Sequence, residues 1–106
     1  TQGVSSAASD VYKRQILLQI LKKYQVSKEE FYEQTKMPDV VNARYLLFYI
    51  CAMKGMSPSR IRRLLKDDGF NMTYATIFRG IKQMEKRILE DADYAKIIST
   101  INTNLN

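Results

Sequence analysis

SPSRIRRLLKDDGFNMTYATIFRGIKQMEKR, residues 57–87, is the stretch whose reading decides the fold. It reads as a short helix, a turn and a longer helix. Ser57-Pro58 is an N-cap followed by proline at the first helical position, where the missing N–H costs nothing. Lys66 to Asn71, with Gly69, forms the turn. The second helix, from about Met72 to Leu89, has two opposed faces. Ile77, Ile81, Met84 and Ile88 recur at intervals of four, three and four, so they share one side. An apolar stripe of that kind must bury against a core. Thr76, Arg79, Lys82, Gln83 and Lys86 fall on the other side and are presented outward. A protruding cationic helix held by a short partner helix is the geometry that enters the major groove of DNA.

The charge distribution points the same way. Residues 60–87 hold eight bases (Arg60, Arg62, Arg63, Lys66, Arg79, Lys82, Lys86, Arg87) and three acids (Asp67, Asp68, Glu85). The segment carries a net +5, against +6 for the whole chain. Phosphate is the partner such a field favours, because neutralising it releases condensed counterions. The plainer alternative is a solvated helix face.

Length and composition set the bounds. A chain of 106 residues makes one domain, and 45% hydrophobic content makes it globular. Cys51 is the sole cysteine, so no internal disulfide forms; it lies in an apolar segment, where a free thiol acts as a small hydrophobe. The absence of histidine excludes histidine-built zinc sites, Ser-His-Asp triads and histidine acid–base catalysis. The longest apolar run, Tyr45 to Met53, is nine residues, far below the roughly 20 that span a bilayer. The expectation is a soluble, cytoplasmic protein with no membrane partner, no cofactor and no metal.

Upstream, Thr1 to Asp10 is small and polar without periodicity, and Asp10 to Gln15 reads DVYKRQ. That string matches the in-frame translation of a sequencing-library transposon end. Residues 1–15 are therefore expected to be a non-native or disordered leader, with the helical domain at 16–106. Lys13 and Arg14 receive no functional weight. An ordinary flexible leader is the alternative. A read-through origin would also mean that an upstream domain is missing from view.

The remainder parses as helices. Ile16 to Tyr24 carries Ile16, Leu17, Ile20 and Leu21 on an apolar face. Ser27-Lys28-Glu29-Glu30 is a capping box that opens a short helix to about Thr35. Pro38 restarts the chain and Asp39 suits a helix start. Val40 to Lys54 is apolar nearly all round, the mark of a central buried helix, and Gly55 stops it. A last helix spans about Asp91 to Ile101. No segment alternates with period two, so the class is all-α with about six helices.

At this point residues 16–101 resemble the C-terminal DNA-binding domain of the bacterial replication initiator DnaA, a helix-turn-helix domain related to the Trp repressor. The resemblance runs through Arg44 in Asn42-Ala43-Arg44-Tyr45-Leu46-Leu47, through Ser57, Ile61 and Leu65, and through Thr73-Tyr74-Ala75-Thr76-Ile77, which stands where the family has Asp-His-Thr-Thr-Val. Ile81, Lys82, Met84 and Glu85 keep the family's spacing. The resemblance implies a Trp-repressor-like fold, double-stranded DNA as partner and a role in replication initiation. It also implies an upstream ATPase domain in the parent protein. Arg44 and Thr76 match base-contacting positions by type. The family's Asp, His and first Thr are replaced by Thr73, Tyr74 and Ala75, and its Gly-Gly-Arg turn by a longer stretch with Asp67, Asp68 and Gly69. Whether the family's DNA box carries over to this chain is therefore open at this point. No G-x-x-x-x-G-K-[ST] phosphate loop occurs in this chain.

The candidate DNA-binding residues are Arg44, Arg60, Arg62, Arg63, Thr73, Tyr74, Thr76, Arg79, Lys82 and Lys86. Arg44 is either a minor-groove contact or a brace that pairs with Asp39 or caps a neighbouring helix. Tyr74 is either a base reader or a core anchor. Arg79 and Lys82 suit phosphate or base-edge contact. Of Arg60, Arg62 and Arg63, one or two meet phosphate and the rest are solvated. Tyr45, Phe48 and Tyr49 are core, not a stacking platform. Sequence-specific duplex binding is the leading function, and a protein-interaction module that has lost DNA binding is the alternative. An enzyme is not expected: there is no histidine, no clustered carboxylates in an apolar site and no phosphate cradle. The oligomeric state and target sequence stay open at this point.

Overall fold

Six α-helices and no strands make up residues 6–33 and 37–105, the part of the chain described by the computed structural model. They are Ser6–Tyr24 (α1), Lys28–Tyr32 (α2), Pro38–Met53 (α3), Pro58–Asp67 (α4), Tyr74–Glu90 (α5) and Ala92–Thr103 (α6). The all-α class is as the periodicity predicts. Among the described residues no helix is long and apolar enough to cross a membrane.

Local chemistry explains the boundaries. Ser27 and Glu30 form the reciprocal capping box, each taking the other's backbone N–H. The Ser27 backbone N–H, and after it the Ser27 hydroxyl, hold the Glu30 carboxyl below its ordinary range. Ser57 Oγ accepts from the Arg60 N–H, and Pro58 stands at the first helical position. Three helices end in one way. Gly55 and Gly69 adopt left-handed φ of 93° and 86°, and Gln25 does so at 54°. In each, the next residue's N–H reaches back to the helix: Val26 to Leu21, Met56 to Cys51 and Phe70 to Leu65. The expected continuation of the second helix to Thr35 stops short. Glu33 already follows the helix as an extended cap, and Gln34–Lys36 lie outside the described residues.

α3 is the central element. Val40, Ala43, Leu46, Leu47, Phe48, Ile50 and Cys51 are all buried, and α1, α2, α4 and α5 pack against it. Burial pushes the Cys51 thiol up to about 12, which keeps it protonated and inert. α5 lays Ile77 and Met84 into this core, both fully buried, with Ile81 and Ile88 half-buried beside them. Gly80 lies at the crossing. A Cβ there would come within 2.7 Å of a Tyr45 ring carbon and 2.9 Å of a Phe48 ring carbon. The missing side chain is what lets α5 approach α3 so closely.

Residues 1–15 read from the sequence as a non-native or disordered leader; of these, residues 1–5 lie outside the described residues and residues 6–15 are ordered. Residues 6–15 form the first half of α1. Ser9 and Lys13 are buried, and Tyr12 packs on the core. The Lys13 ammonium ends 2.6 Å from Asp68 Oδ2. The Tyr32 hydroxyl donates to the same oxygen at 2.8 Å. Asp68 therefore ties the turn between α4 and α5 to α1 and α2. A buried lysine is tolerated because its charge is paired.

Candidate nucleic-acid interface

α4 packs on α5 across the turn at Asp68–Thr73. Thr73 opens α5 as its N-cap, with Oγ1 accepting from the Thr76 N–H at 3.1 Å. The Thr73 and Thr76 hydroxyls lie 2.8 Å apart. Both candidate threonines thus spend their side chains on starting the helix, and Thr76 is half-buried at the edge of its outward face.

The rest of that face is open to solvent. Arg79, Lys82, Gln83 and Lys86 are exposed, as the periodicity predicts. At 3.6 residues per turn, Arg79, Gln83 and Lys86 fall along one edge of the outward face and Tyr74 and Phe78 along the other, with Ala75 and Lys82 between. Tyr74 is half exposed, at 50%, so it is not a core anchor. Its ring lies nearly parallel to that of Phe78, at 8° and 6.3 Å between centroids. Phe78 is itself 45% exposed. The Lys82 ammonium sits 5.4 Å from the Phe78 centroid and 3.5 Å from Glu85 Oε1. On α4, Arg62, Arg63 and Lys66 are exposed.

Three cations do other work: Arg44, singled out by the family resemblance, and Arg60 and Arg87, included in the charge count. Arg44 is buried, at 8% exposure. Its Nε donates to the Phe31 carbonyl at 2.8 Å, and a terminal nitrogen donates to the Glu33 carbonyl. The guanidinium also lies 5.2 Å from the Phe70 centroid. Arg44 lines the floor of a cleft with Tyr45, Phe70, Met72 and Thr76 beside the start of α5, but its donors are directed at the C-terminal end of α2. The minor-groove expectation gives way to the other one: Arg44 caps a neighbouring helix. Burial pulls the group below its ordinary value, yet a guanidinium stays charged and is suited to such a post. Arg87 donates to Asn42 Oδ1 at 2.5 Å and lies 5.5 Å from the Tyr45 centroid, which locks α5 to α3. Arg60 is half-buried and donates to Ser9 Oγ at 3.2 Å.

The site that results is smaller than the sequence suggested. Its exposed cations are Arg62, Arg63, Lys66, Arg79, Lys82 and Lys86. Of the acids, Asp67 is exposed, Glu85 pairs with Lys82, and Asp68 is engaged by Lys13. Burial raises Asp68, but the Lys13 ammonium and Tyr32 hydroxyl outweigh it and hold the carboxyl below its usual range. Tyr32 is raised well above its ordinary value by burial and by Asp68. Sequence reasoning missed Phe78 as a surface residue. The signal was its place four residues after Tyr74, which puts the two rings on one edge of the helix.

No protein-family model, curated protein or solved structure matches this chain. The class established by the geometry is an all-α domain that presents one cationic, aromatic-edged helix.

Proposed function

We infer that this chain is a duplex-DNA-binding helix-turn-helix domain, with α4 as the supporting helix and α5 as the helix that enters the major groove. One observation carries the reading. α5 is buried along Ile77, Gly80 and Met84 and exposes Arg79, Lys82 and Lys86 on the other side. Arg62, Arg63 and Lys66 flank it on α4, where backbone phosphates would lie. The resemblance of the motifs in residues 16–101 to the DNA-binding domain of replication initiators is what suggests a Trp-repressor-like arrangement and a role in replication initiation. An upstream ATPase domain in the parent protein and a cytoplasmic setting belong to the same proposal. The exposed Tyr74–Phe78 pair favours a second reading, a protein-interaction module.

A salt titration separates the two. With about four to six phosphate contacts, log affinity for random-sequence duplex falls against log salt with a slope of roughly −4 to −5. No binding at low salt removes the DNA reading and leaves the interaction module.

A further inference from the structure

Resting on the duplex-DNA reading, we propose that the site reads thymine through its 5-methyl group, with Tyr74, Ala75 and Phe78 as the apolar readers. The first two turns of the outward face decide this. In a helix-turn-helix, those turns meet the base edges. Residues exposed there are Tyr74, Ala75, Phe78 and Arg79. Thr73 and Thr76 have committed their hydroxyls to each other and to the helix start. Besides the Tyr74 hydroxyl and the Arg79 guanidinium, the face therefore offers a continuous apolar strip, with the two rings nearly parallel. In the major groove the thymine methyl is the apolar group on a base edge, and apolar side chains are its partners. Arg79, Lys82 and Lys86 beside the strip supply the charge complementarity that brings it against a duplex. An asparagine or glutamine pair for adenine is missing from these turns. The selectivity is thus carried by methyl burial and by whatever Arg79 adds on a neighbouring base.

The test uses two duplexes of one sequence, an alternating dA·dT 24-mer and the same duplex with deoxyuridine for every thymidine. Affinities are measured by fluorescence anisotropy at moderate salt. The full chain should bind the thymidine duplex about four- to fifteenfold more tightly, as burial of one or two methyl groups predicts. In the double variant Tyr74→Ala/Phe78→Ala the ratio should fall to about one, while the salt slope stays as in the parent. Circular dichroism should show both proteins equally helical, since both side chains are surface-exposed. Equal binding of the two duplexes by the parent chain would overturn the methyl readout and leave duplex binding standing. A preference that survives in the double variant would also overturn it, by assigning the discrimination to the shape of the DNA. Failure to bind either duplex at low salt would overturn the duplex-DNA reading itself, and the aromatic strip would then be a protein-docking surface.

Discussion

The inward and outward faces of α5 are built from one helix but hold the molecule to different standards. Inward, Ile77, Gly80 and Met84 are fully enclosed, and Gly80 has ring carbons of Tyr45 and Phe48 where a Cβ would stand. Outward, Tyr74, Phe78, Lys82 and Glu85 interact chiefly with one another along the surface. The inner face fixes where the helix lies and tolerates almost no change of volume. The outer face adds little to stability and is free to carry specificity. The arginines of the molecule divide the same way. Arg44 and Arg87 are absorbed by carbonyls, an amide oxygen and aromatic rings. Arg79 stands in solvent. Charge counted along a sequence overstates the field that a partner meets.

The largest expected effect lies on the inner face. Met84→Ala should cost roughly 2–5 kcal/mol in denaturant unfolding, the range for deleting a fully buried side chain and leaving a cavity. Its DNA affinity, extrapolated to fully folded protein, should match the parent. A loss of affinity in folded protein would break the separation of the two faces.

A smaller effect is expected at the turn that leads into α5. The Asp68 carboxyl is held below its unfolded value. Its stabilisation is therefore complete above the ordinary carboxylate pKa of about 3.9 and is lost as pH falls through the folded value. Asp68→Asn should remove that part of the acid limb from a plot of stability against pH. At neutral pH the cost should be on the order of 1 kcal/mol, because the pair is only partly buried. An unchanged acid limb would mean that the turn is held by packing of Phe70 alone.

Much of the fold is readable from local chemistry. The caps at Ser27 and Ser57, the stops at Gly55 and Gly69, and the stripe through Ile77 and Met84 each depend on residues within a turn or two. What escapes the sequence is long-range. Lys13 and Asp68 meet across 55 residues, and Asn42 and Arg87 across 45. No periodicity marks such a pair. The first half of α1 is hidden for the same reason: Ser6 to Asp10 has small side chains with no apolar pattern, and Ser9 and Lys13 are buried by elements that come later in the chain. Arg44 reads as a contact residue because its type and position match a base-contacting position in the DnaA family. Its true partners, the carbonyls of Phe31 and Glu33, belong to the backbone and carry no signal in the side-chain sequence. On the site itself, Arg79, Lys82 and Lys86 follow from helical spacing alone. Phe78 could have been placed by the same spacing, four residues after Tyr74, whereas the close crossing at Gly80 depends on where α3 lies.

The smallest change in stability belongs to the outer face, and it gives the most direct test of the central claim. Arg79→Ala and Arg87→Ala each remove one positive charge from α5, one outward and one inward. Duplex affinity across a salt series, measured beside unfolding stability, compares them on equal terms. Arg79→Ala should leave stability within about 0.5 kcal/mol of the parent. It should weaken duplex binding and reduce the salt slope by about one unit if Arg79 meets phosphate, or cost roughly 1–3 kcal/mol at one base position if it reads an edge. Arg87→Ala should lower stability through the lost Asn42 and Tyr45 contacts and leave the salt slope unchanged. The opposite pattern, with Arg87→Ala flattening the slope and Arg79→Ala leaving binding intact, would contradict the assignment of the outward face of α5 as the DNA-binding surface.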